Sequence, residues 1–220
     1  MLDLSRKLTD KLVIDDKEYA LDLSFDNILK MFEMMRDDDI PEYIKPHFAI
    51  RMLISKSLAG DTREEKAESF NKDFENYSIE EMSKVFKSVF EEHISLSDVK
   101  DNHVEYDLAG NPMKTTASDD TKQRAPYDIR YDGDYIYASF MQAYGIDLFD
   151  VQGKLHWKKF NALLSGLPEG TKFMEVIKIR KWKPQKGDSA EYKEEMRRLQ
   201  KDYALPNEII EEEEEHEEEF

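Results

Sequence analysis

The sequence predicts a mainly α-helical, bundle-like protein with one small N-terminal β-hairpin and a disordered acidic C-terminal tail. Three observations carry that reading. Apolar residues recur at three- and four-residue spacing over residues 25–35, 79–94 and 135–180, the period of an amphipathic helix. Alternation of apolar and polar residues is confined to residues 11–23. Glu208, Glu211 to Glu215 and Glu217 to Glu219 make a C-terminal run with almost nothing to bury.

In chain order, KLVIDDKEYALDL reads as two short strands turning at Asp15, Asp16 and Lys17, a hairpin that must lean on helices to be stable. Ser24 stands where a cap is wanted for a helix carrying Phe25, Ile28, Leu29, Phe32 and Met35, which Asp37 to Asp39 end. Pro41 and Pro46 lead into a helix over 47–58 that is apolar all round and therefore interior. Residues 60–76 are charged and fit either a short exposed helix or a loop. Ser78 and Glu81 have capping-box spacing, and Ile79, Met82, Val85, Phe86, Val89, Phe90 and Ile94 form a wide stripe, so one helix is expected over 79–94 with His93 inside the stripe.

Periodicity then lapses. Residues 97–128 are rich in Asn, Asp, Gly, Pro, Ser and Thr and read as a mobile linker. The expected organisation is a hairpin-plus-helix part over 1–96, that linker, a second helical part over 129–203 and the acidic tail over 204–220. Within the second part, Asp132 or Asp134 is placed to cap a helix over 135–144 that Gly145 ends. A helix from Leu155 puts His156, Trp157, Phe160, Leu163 and Leu164 on one stripe, with Lys158 and Lys159 away from it. Thr171 is placed to cap a third helix, in which Phe173, Val176 and Ile177 share a face, and the three are expected to fold on one another. A polar helix over 189–202 follows, stopped at Leu205-Pro206.

Composition narrows the function. With no cysteine there are no disulfides, thiol nucleophiles or cysteine metal sites. No apolar run approaches the roughly 20 residues of a membrane span, and the N-terminus lacks the apolar core of a signal peptide, so the chain is expected to be cytosolic. The net charge is −17; without the nine tail glutamates it is still −8, which argues against nucleic acid as a partner. The histidines 47, 93, 103, 156 and 216 show no metal spacing, and Asp132-Gly133-Asp134 lacks the further carboxylates of a calcium loop. Glycines form no phosphate-binding pattern and no serine stands in a nucleophile elbow. The expectation is no enzyme, no cofactor and no metal.

Two features admit a functional as well as a plain structural reading. Arg180 falls within the face of Phe173, Val176 and Ile177, where it either snorkels or pairs with Asp132, Asp134 or Asp147, or else meets a partner. Residues 178–201 hold nine Lys and Arg against four acids, so the tail is either simply solvated or folds back over that segment, or competes there with an acidic partner.

The stretch DGDYIYASFMQAYGIDL, followed by LHWKKFNALLSGLPEGTKFMEVIKIRKW, resembles the gene-product-fifteen family of tail proteins from long-tailed phages of Gram-positive bacteria. The resemblance runs through Tyr135-Ile136-Tyr137, Tyr144-Gly145-Ile146-Asp147-Leu148, Leu155-His156-Trp157, Leu163-Leu164 and Gly166-Leu167-Pro168, with Lys158 where the family often has a second aromatic. It implies a non-enzymatic tail assembly chaperone that binds the tape-measure protein, keeps it soluble and yields to tail-tube protein. Self-association is possible, the setting is the cytoplasm of the infected host, and the finished virion lacks it. The alternatives are a structural protein retained in the virion tail and, on charge alone, an acidic mimic binding a host protein. The residues expected to contact a partner are His156, Trp157, Phe160, Leu164 and Arg180, most of which serve equally well as core.

Overall fold

The computed structural model describes residues 4–8, 10–95, 107–111 and 126–206. The acidic run from 207 onward and most of the expected linker lie outside them. The chain forms two compact units, one from residues 1–113 with 149–165 and the other from residues 114–148 with 166–220. This differs from the sequence-based division at one helix. The Trp157 helix, expected to fold with its sequence neighbours in 129–203, packs instead in the first unit.

In the first unit, β1 (Lys11–Ile14) and β2 (Lys17–Ala20) pair antiparallel with Leu12 opposite Tyr19 and Ile14 opposite Lys17. Asp15 and Asp16 both take positive φ, 47° and 61°, the two-residue turn whose twist suits a hairpin and which Asp tolerates better than most residues. The hairpin does lean on helices. Tyr19 is buried against Phe74, with ring centroids 5.6 Å apart, and Tyr77 donates its hydroxyl proton to Asp15 at 2.8 Å.

Behind it lie α1 (Phe25–Met35), α2 (Lys45–Leu53), α3 (Arg63–Asp73) and α4 (Ile79–Val89). The helix expected over 47–58 begins and ends earlier, with Pro46 in its first turn, where a missing N–H costs nothing. The ambiguous segment 60–76 is a helix with a full capping box, Thr62 with Glu65. Most of it is exposed, as one of the two readings has it, and it is anchored by Phe70 and by Phe74 just beyond its end, both buried. The single helix expected over 79–94 stops at Val89. Phe90–Ile94 then form a wider turn closed by Ser95 N–H donating to Phe90 C=O at 2.7 Å, and this keeps Phe90, His93 and Ile94 all facing inward.

A piece of the expected linker is also ordered in this unit. Residues 107–111 make a turn in which Asp107 Oδ1 accepts from the N–H groups of Ala109 and Asn111. Gly110, at φ 75°, lies against Phe32; a β-carbon there would fall 2.2 Å from Phe32 Cγ, so only glycine fits. Arg36 donates to the Gly110 carbonyl at 2.9 Å and holds the turn to α1.

The second unit contains α5 (Gly133–Tyr144), α7 (Lys172–Arg180) and α8 (Ala190–Asp202), α6 (Trp157–Ser165) belonging to the first. Gly145 ends α5 in the left-handed conformation as expected, with φ 62°. Phe140, Phe173 and Val176 are buried between α5 and α7. Ser139, also fully buried, accepts from Phe173 N–H at 3.0 Å and donates to Tyr135 C=O at 2.7 Å.

Several expected caps are used otherwise. Ser24 Oγ donates to Asp22, Thr171 Oγ1 donates to Pro168 C=O, and the Asp132 carboxylate turns away from its own helix. Each sits at the cap position with a stronger or nearer partner available. Leu205, inside the stretch 204–220 assigned to the tail, is buried and packs with the second unit.

Candidate functional site

The residues read from the sequence as a contact stripe fall into two interior clusters, one in each unit. Trp157, Phe160 and Leu164 of α6 are 0%, 1% and 2% exposed. Phe25 of α1 stacks on Phe160 with centroids 5.0 Å apart, and Phe32 meets Trp157 edge-on at 5.8 Å. The Trp157 indole N–H donates to Ile94 C=O at 3.0 Å, satisfying the polar edge of an otherwise apolar ring. As placed, these three side chains offer no surface to a partner. The stripe is a core face, and its apolar residues fill the space beside α1.

The helix does not begin at Leu155 as expected. Leu155 C=O accepts from Phe25 N–H at 2.9 Å and Trp157 N–H donates to Leu23 C=O at 2.7 Å, so this segment is bridged to the entry of α1 and turns helical only at Trp157. That bridge aims His156 away from the apolar face. Its Nε2 lies 2.8 Å from Asp10 Oδ2, and its Nδ1 accepts from Lys158 N–H at 3.0 Å. Because Nδ1 is an acceptor, Nε2 carries the proton and donates it to Asp10. The other oxygen, Asp10 Oδ1, lies 3.0 Å from His93 Nδ1.

Asp10 thus joins the base of the hairpin, the wide turn after α4 and the entry to α6 through one carboxylate. Its side chain is only 13% exposed. The hydrogen bond from His156, then that from His93, holds its carboxyl well below the usual carboxylate range against the upward push of burial. Nothing in the sequence singles out Asp10, since it stands 83 residues from His93 and 146 from His156. The apolar setting of both histidines points only to hydrogen-bonded structural roles, which they have.

Asp10→Asn is expected to lower stability at pH 7 by about 1.5–3 kcal/mol, the scale of a hydrogen bond to a charged group. A depressed folded-state value means the carboxylate contributes fully above its unfolded value near about 4 and loses that contribution as pH falls below it. Urea unfolding of both proteins across the acid range should therefore show the gap narrowing below about pH 4. A gap of constant size down to about pH 2 would rule the ionised bridge out.

In the second unit Arg180 does not snorkel; it pairs with Asp132. Nη1 and Nη2 each lie 2.7 Å from one Asp132 oxygen, Nε donates to Tyr203 C=O at 2.6 Å, and Nη1 also reaches Pro126 C=O at 3.2 Å. The side chains are 8% and 1% exposed. Asp128 N–H donates to Asp132 Oδ2, so both charges are satisfied within the unit. Asp132, expected as a cap, is the anchor of this network. Pro126, Asp132 and Tyr203, three separate points of the unit, converge on the Arg180 side chain.

Among the described residues, no group of three or more His, Cys, Asp or Glu is arranged to hold a metal ion. Asp10, His93 and His156 meet in a row of hydrogen bonds and not around a common point. No helix among the described residues is long and apolar enough to cross a membrane. Outward-facing apolar side chains do occur, with Tyr43 61%, Val13 59% and Ile79 47% exposed in the first unit, and Met141 42% exposed in the second.

The architecture is that of a mainly helical protein with one two-stranded hairpin among the described residues, and its buried Asp132, Ser139 and His93 side chains join segments distant in sequence. The chain belongs to the Bacteriophage Gp15 protein family, whose model matches residues 8–205 and so takes in both units. No curated protein and no solved structure matches it.

Proposed function

We propose that the protein is a phage tail assembly chaperone, a non-enzymatic factor that binds the tape-measure protein and keeps it soluble and extended until tail-tube protein arrives. The observation that carries this reading is family membership across residues 8–205, joined to the motif resemblance over 130–182. The physical requirements are modest. A long helical client must be held by many weak, reversible contacts along its length, each displaceable by a tube subunit. A strongly acidic carrier keeps such a loaded rod from collapsing on itself.

As folded, Trp157, Phe160 and Leu164 are interior and present no surface for these contacts. Exposed apolar side chains are the better candidates, among them Tyr43 in the turn before α2 and Ile79 at the start of α4, two elements that pack against each other. The test is co-expression with the tape-measure protein of the same phage, followed by size-exclusion chromatography of the soluble fraction. The tape-measure chain should be soluble and co-elute only when this protein is present. If it gains no solubility and this protein is found at fixed stoichiometry in purified virions, a structural role in the tail replaces the chaperone role.

A further inference from the structure

We propose that the cationic flank formed by α8 and the C-terminal turn of α7 is a docking surface for the chain's own acidic segment, Glu208 to Glu219. This inference stands apart from the tape-measure reading and concerns the second unit alone.

At about 100° per residue, Lys193, Arg197 and Lys201 share one flank of α8, with Glu194 at its edge beside Lys201, while Glu191, Glu195 and Asp202 fall roughly opposite. The neighbouring position on the basic side is Gln200, whose side-chain amide donates to the carbonyls of Ile179, Arg180 and Trp182 at 3.1, 3.3 and 2.9 Å. That contact sets the basic row beside the end of α7, where Lys178 and Lys181 are exposed. Among the described residues, none of these five cations has a carboxylate within ion-pair range. Some exposed lysines elsewhere do, Lys17 with Asp73 at 2.6 Å, Lys30 with Asp26 at 3.2 Å and Lys56 with Asp22 at 3.0 Å, while others such as Lys72, Lys84 and Lys159 stand singly without one among the described residues. What sets this flank apart in a protein of net charge −17 is that five such cations stand together, close in sequence to a run of glutamates.

The sequence supplies one at short range. The described chain leaves this surface at Pro206, held there by buried Leu205 and by Arg180 Nε on the Tyr203 carbonyl. Residues 207–220 reach at most roughly 46–50 Å when extended, against about 20 Å for the length of α8, so the nine glutamates can run back along the basic row. Tethering sets their effective concentration in about the millimolar range. Each exposed pair is weak and screened by salt, so docking is loose, dissolves at high ionic strength, and has to be displaced by any other anion that uses the flank.

The chain has no cysteine, so Phe220→Cys gives a single attachment point for a spin label on the full-length protein. At roughly 0.01 M ionic strength, where the Debye length is about 30 Å, backbone amide signals over 193–201 should be lost to paramagnetic broadening. They should return at roughly 1 M, where it is about 3 Å, and also at low salt in Arg197→Glu/Lys201→Glu, whose exposed positions leave the circular dichroism unchanged. Replacing Glu211 to Glu215 by Gln should restore them too, without touching the folded surface. Signals that stay sharp at low salt, or broadening that survives high salt or loss of the charges on either side, would overturn the proposal.

Discussion

Arg180→Ala is expected to cost about 3–5 kcal/mol, because it leaves the Asp132 carboxylate, 1% exposed, as an uncompensated buried charge. Against a total stability of about 5–15 kcal/mol that is enough to unfold a large share of the molecules. The loss includes more than the ion pair. Arg180 also satisfies the Tyr203 and Pro126 carbonyls, so removing it frees α7 from the segments on both sides of it. Lysine should rescue only a minor part, since one ammonium cannot reproduce the paired bonds to Asp132 and the Nε bond to Tyr203 together. The informative companion is Arg180→Met with Asp132→Leu. Removing both charges eliminates the desolvation penalty, so the double variant should be more stable than either single one in urea unfolding followed by circular dichroism. An Arg180→Ala protein within about 1 kcal/mol of the parent would show that the pair contributes little. If that stable variant also lost a partner, Arg180 would be a contact residue after all.

Much of the helical layout was legible because its signals are local. Ser78 with Glu81 marks the start of α4, Gly145 marks the end of α5, and Asp15-Asp16 between two alternating segments marks the hairpin. Where a competing local partner existed, the same kind of signal misled. Thr171 bonds backward to Pro168, and Asp132 is drawn to an arginine 48 residues away. Helix and loop stayed open for α3 for the opposite reason, since its one buried residue is Phe70, with Phe74 just beyond its end, too few to make a stripe in a charged segment. Pairing between distant segments was not legible at all. Trp157 follows α5 closely in sequence yet packs on Phe32, and Gly110 lies in polar sequence yet is required to be glycine by that same ring. A stripe such as His156, Trp157, Phe160 and Leu164 has the same composition whether it faces a core or a partner. Only its burial separates the two, and burial is a property of the folded chain.

Trp157→Ala should be the most damaging change in the first unit, at about 3–5 kcal/mol for a fully buried aromatic, with an added penalty because the Ile94 carbonyl loses its donor. Trp157→Phe separates the two contributions. It keeps most of the volume packed against Phe32 and Phe160 while deleting the indole N–H, so it should cost about 1–3 kcal/mol. The chain has two tryptophans, Trp157 and Trp182, so fluorescence of Trp182→Phe reports Trp157 alone. Its emission should be that of a dry, apolar site and should shift to the red in step with the loss of helical circular dichroism. A red-shifted emission in the native state would place Trp157 at the surface and return it to the list of contact residues. The distinction bears directly on how a failed co-expression is interpreted. A Trp157→Ala protein that no longer solubilises the tape-measure chain has lost its fold rather than a contact, and Trp157→Phe, destabilised but folded at low temperature, should still support it there. Loss of that support from a folded Trp157→Phe protein would instead mean that the α6 region opens to admit the client.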